Sequence, residues 1–267
     1  MEERREQIAG TGTSWREAPR RAPIVYLHGV PDSGSEWLPF LERTGGYAPD
    51  LPGFGRSDKP AHFDYSIAGY AAWLRAYVDR LGLERFSLVM HDWGAVGLAL
   101  AQAVPERIER LVAIDVVPFL PGYRWHRVAR IWRAPLGGEL FMGFSFRWNM
   151  RLASREWLAA EGPAPDELVD DVWRHWDHGT QRAILKLYRS APPATLAAAG
   201  ERLGRIDAPA LVLHGADDPY IPPSFAHQLG DALGGDARVE VVEGARHWPW
   251  HDRPQLVDDV ARFLGGR

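Results

Sequence analysis

The stretch SLVMHDWGAVGLAL, residues 87–100, carries the change from a buried strand to a helix. Its first residues form an apolar run that is typical of a strand buried on both faces, and its last residues are typical of a helix. Asp92 lies at the corner between the two. A carboxylate there has two interpretations: it caps the helix, as Asp commonly does, or it is held above the sheet as a reactive group. The stretch taken alone fits both.

Further strands and helices are predicted on both sides of this corner. Apolar runs predict strands within residues 22–29, 46–58, 110–115, 209–215 and 237–244. Helical spacing predicts helices at 65–83, where Ser66 is a candidate N-cap, and at 93–105, which ends at Pro105. Strands that alternate with helices indicate an α/β fold with a mostly parallel, doubly wound sheet. Sites in such folds form at the carboxyl ends of the strands.

The middle of the chain differs because it shows helical patterns without a clear strand. We therefore predict an inserted helical cap at 117–200 and a core domain formed by 1–116 and 201–267. Half of the twelve tryptophans fall in this segment: Trp125, Trp132, Trp148, Trp157, Trp173 and Trp176. Most of them should bury area within a small helical layer, and one or two should line a pocket beneath the cap.

The composition of the 267 residues excludes several classes of function. A formal net charge of −4 gives no basic field for nucleic acid, and the lack of cysteine excludes disulfides and thiolate chemistry. No apolar run is long enough for a membrane helix and the charged N-terminus has no signal-peptide core, so we expect a cytoplasmic protein without a membrane partner. P-loop, dinucleotide-binding and HExxH patterns are missing, so we expect neither a cofactor nor a metal. Monomer and homodimer both stay open.

Two polar clusters after later strands give the corner residue partners. The stretch LHGADDPYIP places Asp217 and Asp218 after one strand, and EGARHWPWHDRP places His247 after the next. The chain order of nucleophile, acid and histidine is that of the hydrolase triad. This order favours Asp92 as a nucleophile over a helix cap.

The stretch LHGVPDSGSEW after an early strand adds a further element. The backbone N–H groups of Val30 in this turn and of Trp93 after the corner would form an oxyanion hole. An ordinary Gly-Val-Pro turn fits the same residues.

The segments HGVP, DLPGFGRSDKP, MHDWGA, GADDP and GARHWP together resemble the α/β-hydrolase family, and specifically its branch with an aspartate nucleophile, the epoxide hydrolases and haloalkane dehalogenases. The resemblance implies that Asp92 is the nucleophile and His247 the base. It implies Asp218 as the acid, because the acid of the family lies three residues after the glycine of GADD. Asp217 is then a turn-capping neighbour. Asp115 ends its strand where some dehalogenases keep their acid, so a shared acid role stays open.

A carboxylate at the corner limits the chemistry. It suits displacement at a saturated carbon, which forms an alkyl ester with the protein. His247, oriented by Asp218, would then deprotonate a water that attacks the carboxyl carbon of Asp92. A serine at the corner would instead indicate acyl transfer, so an esterase is a less favoured alternative.

The leaving group separates the two branches of the resemblance. Tyr188 in ILKLYRSAPP resembles the tyrosine that protonates the opening alkoxide in epoxide hydrolases, although a packing role fits it as well, and Tyr123 does not match as a second one. The resemblance to dehalogenases implies that the indole of Trp93 binds the departing halide. The second donor of that family is an asparagine, which Val30 replaces here, or a tryptophan of the cap, which stays open. Met90 favours the dehalogenases.

We therefore predict an enzyme that hydrolyses epoxides, acting on a small apolar organic substrate and water. A haloalkane dehalogenase with the same triad is the alternative, and a non-catalytic binding protein is less expected.

Overall fold

The computed structural model describes residues 1–18, 23–159 and 162–265. These residues contain a sheet of eight strands in the order β1-β2-β4-β3-β5-β6-β7-β8. Neighbours from β4 onward in this order are parallel, and β1 and β2 add antiparallel strands at one edge. The strands are β1 Glu2–Ile8, β2 Thr11–Ala18, β3 Ile24–Leu27, β4 Gly46–Pro49, β5 Phe86–His91, β6 Ile108–Ile114, β7 Ala210–Gly215 and β8 Ala237–Val242. The predicted α/β fold with a mostly parallel sheet is confirmed.

The predicted elements differ from the observed ones mainly at their ends. The strand predicted at 22–29 begins at Ala22, which lies outside the described residues, and the structure has β3 at Ile24–Leu27. The helix predicted at 65–83 is α2 Ile67–Arg80, and the Ser66 hydroxyl accepts a hydrogen bond from the Gly69 N–H at 3.1 Å, as expected of an N-cap.

The hairpin of β1 and β2 was not among the predicted strands. The sequence of β1 is EERREQI, and six of its seven residues are exposed, so it lacks the apolar face that marks a strand. Charged side chains pair across the hairpin instead, as Arg4 does with Glu17 at 3.0 Å. Such charges also protect an edge strand from pairing with other chains.

Helices cover both faces of the sheet, and alternate residues of each central strand point to opposite faces. Leu88 and Met90 of β5 belong to one apolar cluster, whereas Val89 belongs to the other. The first cluster is shared with α2, α3 Val96–Ala103 and α10 Ser224–Ala232; the second is shared with α1 Leu38–Thr44, α11 Pro249–Asp252 and α12 Leu256–Leu264. Within the described ranges, no helix combines the length and apolar character needed to cross a bilayer.

Between β6 and β7 the described chain is helical. The helices are α4 Arg127–Arg133, α5 Gly137–Gly143, α6 Arg147–Ala153, α7 Asp166–Arg174, α8 His178–Ser190 and α9 Pro193–Ala199. We call them the inserted helices. Hydrogen bonds join them to loops of the sheet, as when the Ser190 hydroxyl donates to the Tyr65 carbonyl at 3.1 Å. The division into a core domain and a cap stays a prediction, and residues 160 and 161 of the proposed cap lie outside the described residues.

The six tryptophans of this segment are not alike. Trp125, Trp132 and Trp157 are buried, Trp173 and Trp176 are half-buried, and Trp148 is exposed. Three of them, Trp132, Trp157 and Trp176, line a cavity above the sheet, where one or two were expected.

Candidate active site

The corner after β5 places Asp92 in a strained backbone conformation. Its φ of 46° lies in the left-handed region, which costs free energy for a residue other than glycine. Small neighbours are required for this turn, because a Cβ on Gly94 would lie 2.1 Å from the Leu27 carbonyl oxygen. A Cβ on Gly29 would lie 2.8 Å from the Cβ of Asp92. The tight turn therefore raises the carboxylate above the carboxyl ends of the strands.

The Asp92 carboxylate does not cap the helix that follows it. His91, not Asp92, is at the N-cap of the turn Asp92–Ala95 that leads into α3, and no side-chain cap is formed there. One carboxylate oxygen of Asp92 instead accepts a hydrogen bond from the Val30 N–H at 2.8 Å. Of the two interpretations of this carboxylate, the structure gives no support to helix capping.

His247 lies between two carboxylates. Its Nε2 is 3.7 Å from Oδ2 of Asp92, and its Nδ1 is 2.8 Å from Oδ2 of Asp218. The other oxygen of Asp218 accepts the backbone N–H groups of Tyr220 at 2.7 Å and Ile221 at 3.2 Å. The side chain of Asp218 is therefore fully buried and fixed by its own loop. The structure brings the three predicted triad residues together, whereas the neighbouring Asp217 is exposed.

Burial and neighbouring charges shift the pKa values of these three groups in opposite directions. Burial alone would lower the pKa of His247, but the charge and hydrogen bond of Asp218, together with Asp92, hold it well above the usual value. Burial would raise the pKa of Asp92, but the hydrogen bond and charge of His247 keep it below the usual value. The same balance lowers the pKa of Asp218, again through His247. At neutral pH the three groups thus form an imidazolium between two carboxylates.

The predicted oxyanion hole is half-assembled around the ionised carboxylate. The Val30 N–H donates a hydrogen bond to the Asp92 carboxylate. It therefore lies where negative charge would form in a tetrahedral intermediate. Within the described residues, the Trp93 N–H makes no hydrogen bond to this carboxylate. Its predicted role depends on an intermediate that places an oxygen differently from the free carboxylate.

Behind the corner lies a buried chain of hydrogen-bonded polar groups that the sequence did not predict. Glu36 accepts the Gly29 N–H at 3.1 Å, and its other oxygen is 3.1 Å from Nδ1 of His91. Nε2 of His91 is 2.8 Å from the backbone carbonyl of His247. Three distant segments of the chain meet here, so no local pattern in the sequence could indicate the contact.

The protonation of this chain follows from burial. Burial lowers the pKa of His91 to about 4, so its imidazole is neutral at pH 7. Nε2 must carry the proton that is donated to the His247 carbonyl, which leaves Nδ1 as an acceptor. Burial also raises the pKa of Glu36 well above its usual value, so its carboxyl group keeps a proton and donates it to Nδ1.

Asp115 is buried beside the triad but does not contact His247. Its carboxylate accepts the Gly215 N–H at 3.0 Å and lies 3.4 Å from Nδ1 of His214. Burial and the nearby charge of Asp218 raise the pKa of Asp115 well above its usual value. The orienting contact to His247 is therefore made by Asp218, and Asp115 lies behind it as a neutral acid.

The cluster Asp115, His214 and Asp218 has the composition of a metal site, with one potential ligand atom of each within 4.8 Å of the others. However, Asp218 is committed to His247, and Nε2 of His214 donates to the Ile221 carbonyl at 2.9 Å. Asp218 and His214 are thus engaged by protein groups, and we assign no metal to the cluster.

A cavity of about 770 Å³ opens above the triad, with Asp92 and His247 in its wall. Tyr188 of α8, the predicted substrate-binding residue, lines the same cavity. Trp93 is fully buried behind this wall, with its indole against the Tyr188 phenol. The other walls are mostly apolar and include Ile131, Trp132, Leu140, Phe144, Leu152 and Trp157.

Tyr188 is held by aromatic rings. Its ring lies 5.2 Å from that of Trp93 and 4.9 Å from those of Trp125 and Trp132. Burial, with a further contribution from the charge of Asp92, raises the pKa of Tyr188 well above its usual value. The phenol is consequently a proton donor at every physiological pH. Tyr123 packs against Trp125 but does not line the cavity.

Several polar residues of the cavity wall were not predicted, and two of them, Tyr220 and His126, lie beside the triad. Tyr220 packs its ring 4.9 Å from the rings of both His247 and His126. Nδ1 of His126 accepts the Ala129 N–H at 3.4 Å, and burial lowers the pKa of His126 to about 4. A neutral His126 therefore carries its proton on Nε2. In the sequence these residues look like ordinary loop residues, because only the fold brings them to the triad.

Comparison of the sequence with known proteins identifies a family and curated relatives. Residues 22–254 match the family described as alpha/beta hydrolase fold. A haloalkane dehalogenase of Mycolicibacterium paratuberculosis is 31% identical over 272 residues, which cover 89% of this chain and 82% of that protein.

Solved structures agree on the fold. An ancestral haloalkane dehalogenase superposes with a TM-score of 0.84 at 24% identity, covering 98% of each chain. The epoxide hydrolase CorEH superposes with a TM-score of 0.83 at 20% identity, covering 99% of this chain and 98% of that one. The chain belongs to the α/β-hydrolase family, in the branch with an aspartate nucleophile that includes haloalkane dehalogenases and epoxide hydrolases.

Proposed function

We propose that the protein opens an epoxide to a diol through a covalent ester on Asp92, and that His247 and Asp218 activate the water that hydrolyses this ester. The observation that carries the proposal is Tyr188, a buried phenol that lines the same cavity as Asp92 and His247. An opening epoxide requires a proton on its oxygen, and a phenol that stays protonated can supply it.

In the first step the ionised Asp92 attacks an epoxide carbon, and the carbon–oxygen bond of the ring breaks. The alkoxide takes the Tyr188 proton, and the imidazolium of His247 can restore that proton through water in the cavity. Asp92 needs no base for this attack, because its lowered pKa keeps it ionised. The step ends with an ester, a protonated Tyr188 and a neutral His247.

Formation of the ester prepares the second step. It removes the charge of Asp92, which is one of the causes that raise the pKa of His247, so the neutral imidazole becomes easier to form. His247, oriented by Asp218, takes a proton from water, and the hydroxide attacks the carboxyl carbon of Asp92. The Val30 N–H then donates to the resulting oxyanion. Collapse releases the diol, which takes its proton from His247, and the new carboxyl group of Asp92 gives a proton back to His247.

The covalent step is tested by single turnover in water labelled with heavy oxygen. The label should appear on the Asp92 carboxylate and be absent from the first diol, because the oxygen that leaves comes from Asp92. The variant His247→Gln should accumulate the alkyl ester, seen as a mass increase equal to that of the epoxide. Full activity of Asp92→Asn and Asp92→Ala, or label in the first diol, would contradict the proposal.

Haloalkane dehalogenation is a second candidate, supported by the indoles. The indole of Trp93 lies against Tyr188, whereas those of Trp132 and Trp176 line the cavity and are buried without a hydrogen-bond partner among the described residues. Unpaired donors of this kind could bind a departing halide. The name of the relative described above points to the same reaction.

Two variants separate the candidates when styrene oxide and 1-bromobutane are both offered. For an epoxide hydrolase, Tyr188→Phe should lower diol formation by about 10²- to 10⁴-fold, since one positioned acid is lost. Tyr123→Phe, a buried tyrosine outside the cavity, is the matched control and should be nearly unchanged. Bromide release that survives in Tyr188→Phe and falls in Trp93→Phe, with no diol from wild type, would establish the dehalogenase instead.

A further inference from the structure

We propose that the cavity binds an extended, uncharged hydrocarbon chain, so that the substrate is a terminal epoxide on a long alkyl chain. The reactive end would lie at Asp92, and the chain would run outward between α4, α5 and α6. The epoxide part of this inference rests on the proposed function, whereas the chain-binding part does not.

The side of the cavity away from Asp92 is apolar and open to solvent. It is formed by five residues, Ile131 of α4, Leu140 and Phe141 of α5, Phe144 after α5, and Leu152 of α6, which we call the cavity mouth. Their exposed fractions range from 38% to 68%, although all five line the cavity. Exposed apolar side chains that line one cavity are typical of a ligand-binding groove.

The volume of the cavity fits a long molecule better than a short one. At about 770 Å³ the cavity lies in the upper part of the range of sites that hold ligands of several hundred daltons. An epoxide of four carbons would fill only a small part of this space and would leave the mouth uncovered. A chain that continues to the mouth would bury the five apolar side chains and displace water from them.

The charges of the cavity wall favour an uncharged chain. Among the described lining residues, Arg127 is the one Lys or Arg, and it is paired with Glu156 at 3.2 Å. A carboxylate at the far end of the substrate would have to compete with Glu156 for this cation. Ser145 and Asn149, which also line the cavity, are neutral.

The experiment compares 1,2-epoxides of increasing chain length with the intact protein. Full burial of a methylene increases affinity by about fourfold, and we expect about half of that free energy because the mouth is open, or about twofold per methylene in kcat/KM. From 1,2-epoxybutane to 1,2-epoxydecane the increase should be roughly sixtyfold. The charged analogue 10,11-epoxyundecanoate should be a poorer substrate than 1,2-epoxydecane.

Two matched variants locate the chain. Phe144→Ser removes an aromatic ring of the mouth that is 68% exposed, and Trp148→Ser removes one that is 67% exposed but does not line the cavity. Phe144→Ser should lower kcat/KM for 1,2-epoxydecane by about tenfold and leave that for 1,2-epoxybutane within twofold. Trp148→Ser should leave both within twofold. Equal effects of the two variants would overturn the placement at the mouth.

Binding of unreactive 1-alkanols separates this inference from the proposed reaction. Their Kd, followed by quenching of the cavity tryptophans, should also fall by about twofold per methylene from 1-butanol to 1-decanol. A steep series of alkanols without turnover of any epoxide would reject the reaction and keep the chain site. Flat series of both alkanols and epoxides, or preference for the carboxylate, would reject the chain site while leaving epoxide hydrolysis standing wherever diol is formed.

Discussion

The wall of the cavity around the triad and the cavity mouth are built in opposite ways. At the triad, buried polar groups make specific contacts, as His247 does with Asp218 and Asp92. At the mouth, apolar side chains are exposed. The triad comes from loops at the ends of strands, and the mouth comes from the inserted helices. This contrast leads us to expect that the chemistry of the triad and the choice of chain length reside in separate parts of the chain, although α8, one of the inserted helices, supplies Tyr188. Changes near the triad should then alter the rate for every substrate, and changes at the mouth only the preference for chain length.

The largest effect that tests this separation is expected of Asp218→Asn. An amide cannot stabilise the imidazolium and can reverse the tautomer of His247, so turnover should fall on the order of 10⁴-fold. The factor should be the same for 1,2-epoxybutane and 1,2-epoxydecane. Asp217→Asn, at the exposed neighbouring position, should stay within twofold of wild type. A chain-length preference that changes in Asp218→Asn would show that the two regions are coupled.

The second effect concerns Glu36, which reaches the triad through His91. Glu36→Leu leaves the Gly29 N–H and Nδ1 of His91 without partners, at a cost of about 1–3 kcal/mol for each buried group. We expect a lower Tm and about tenfold slower turnover, because the His247 carbonyl loses its fixed donor. Glu36→Gln should be close to wild type, since its amide oxygen can accept from Gly29 and its NH₂ can donate to His91.

The outcome of this pair also tests the protonation of Glu36. If Glu36→Gln is as damaging as Glu36→Leu, the carboxyl group acts as an anion rather than as a donor. Chain-length profiles of both variants should keep the slope of wild type, because Glu36 does not line the cavity.

The sequence predicts the triad better than the buried contact of Glu36 with His91 behind it, for a physical reason. Asp92, Asp218 and His247 each follow a strand in a short segment whose chemistry is readable locally, and parallel strands bring their carboxyl ends to one edge. The contact of Glu36 with His91 joins a short 3-10 helix to a strand 55 residues away, and no periodicity encodes such a pairing.

The fold shows the same division. Central strands such as β5 were predicted because burial on both faces requires an uninterrupted apolar run. The edge strand β1 was not predicted because its charged side chains face solvent, so it lacks the apolar pattern of a strand that packs on a core. The cavity mouth could not be predicted from the sequence, because Leu140 and Phe144 are apolar residues of the kind that usually form a core. Only the packing of α5 leaves them exposed.

A third and smaller effect is expected in the pH dependence of stability. The pKa of His247 is raised in the folded protein, so its ion pairs contribute stability fully below about pH 6.5, its unfolded pKa. This contribution is lost as the pH rises through the folded pKa. The Tm difference between wild type and His247→Gln should therefore be largest near pH 6 and shrink by a few degrees towards alkaline pH. A difference that grows with pH would mean that His247 is neutral in the folded state.

The smallest effect is expected of Asp115→Asn, which tests whether the triad has one acid or two. Asp115 is a neutral acid that accepts the Gly215 N–H, and the amide oxygen of asparagine can accept the same bond. Turnover should therefore stay within about threefold of wild type for short and long epoxides, and the double variant Asp115→Asn/Asp218→Asn should resemble Asp218→Asn. A loss comparable to that of Asp218→Asn would assign Asp115 a share of the acid role. Partial activity in Asp218→Asn that disappears in the double variant would show that Asp115 replaces Asp218 when its carboxylate is gone, since Asp115 would then ionise without a neighbouring charge.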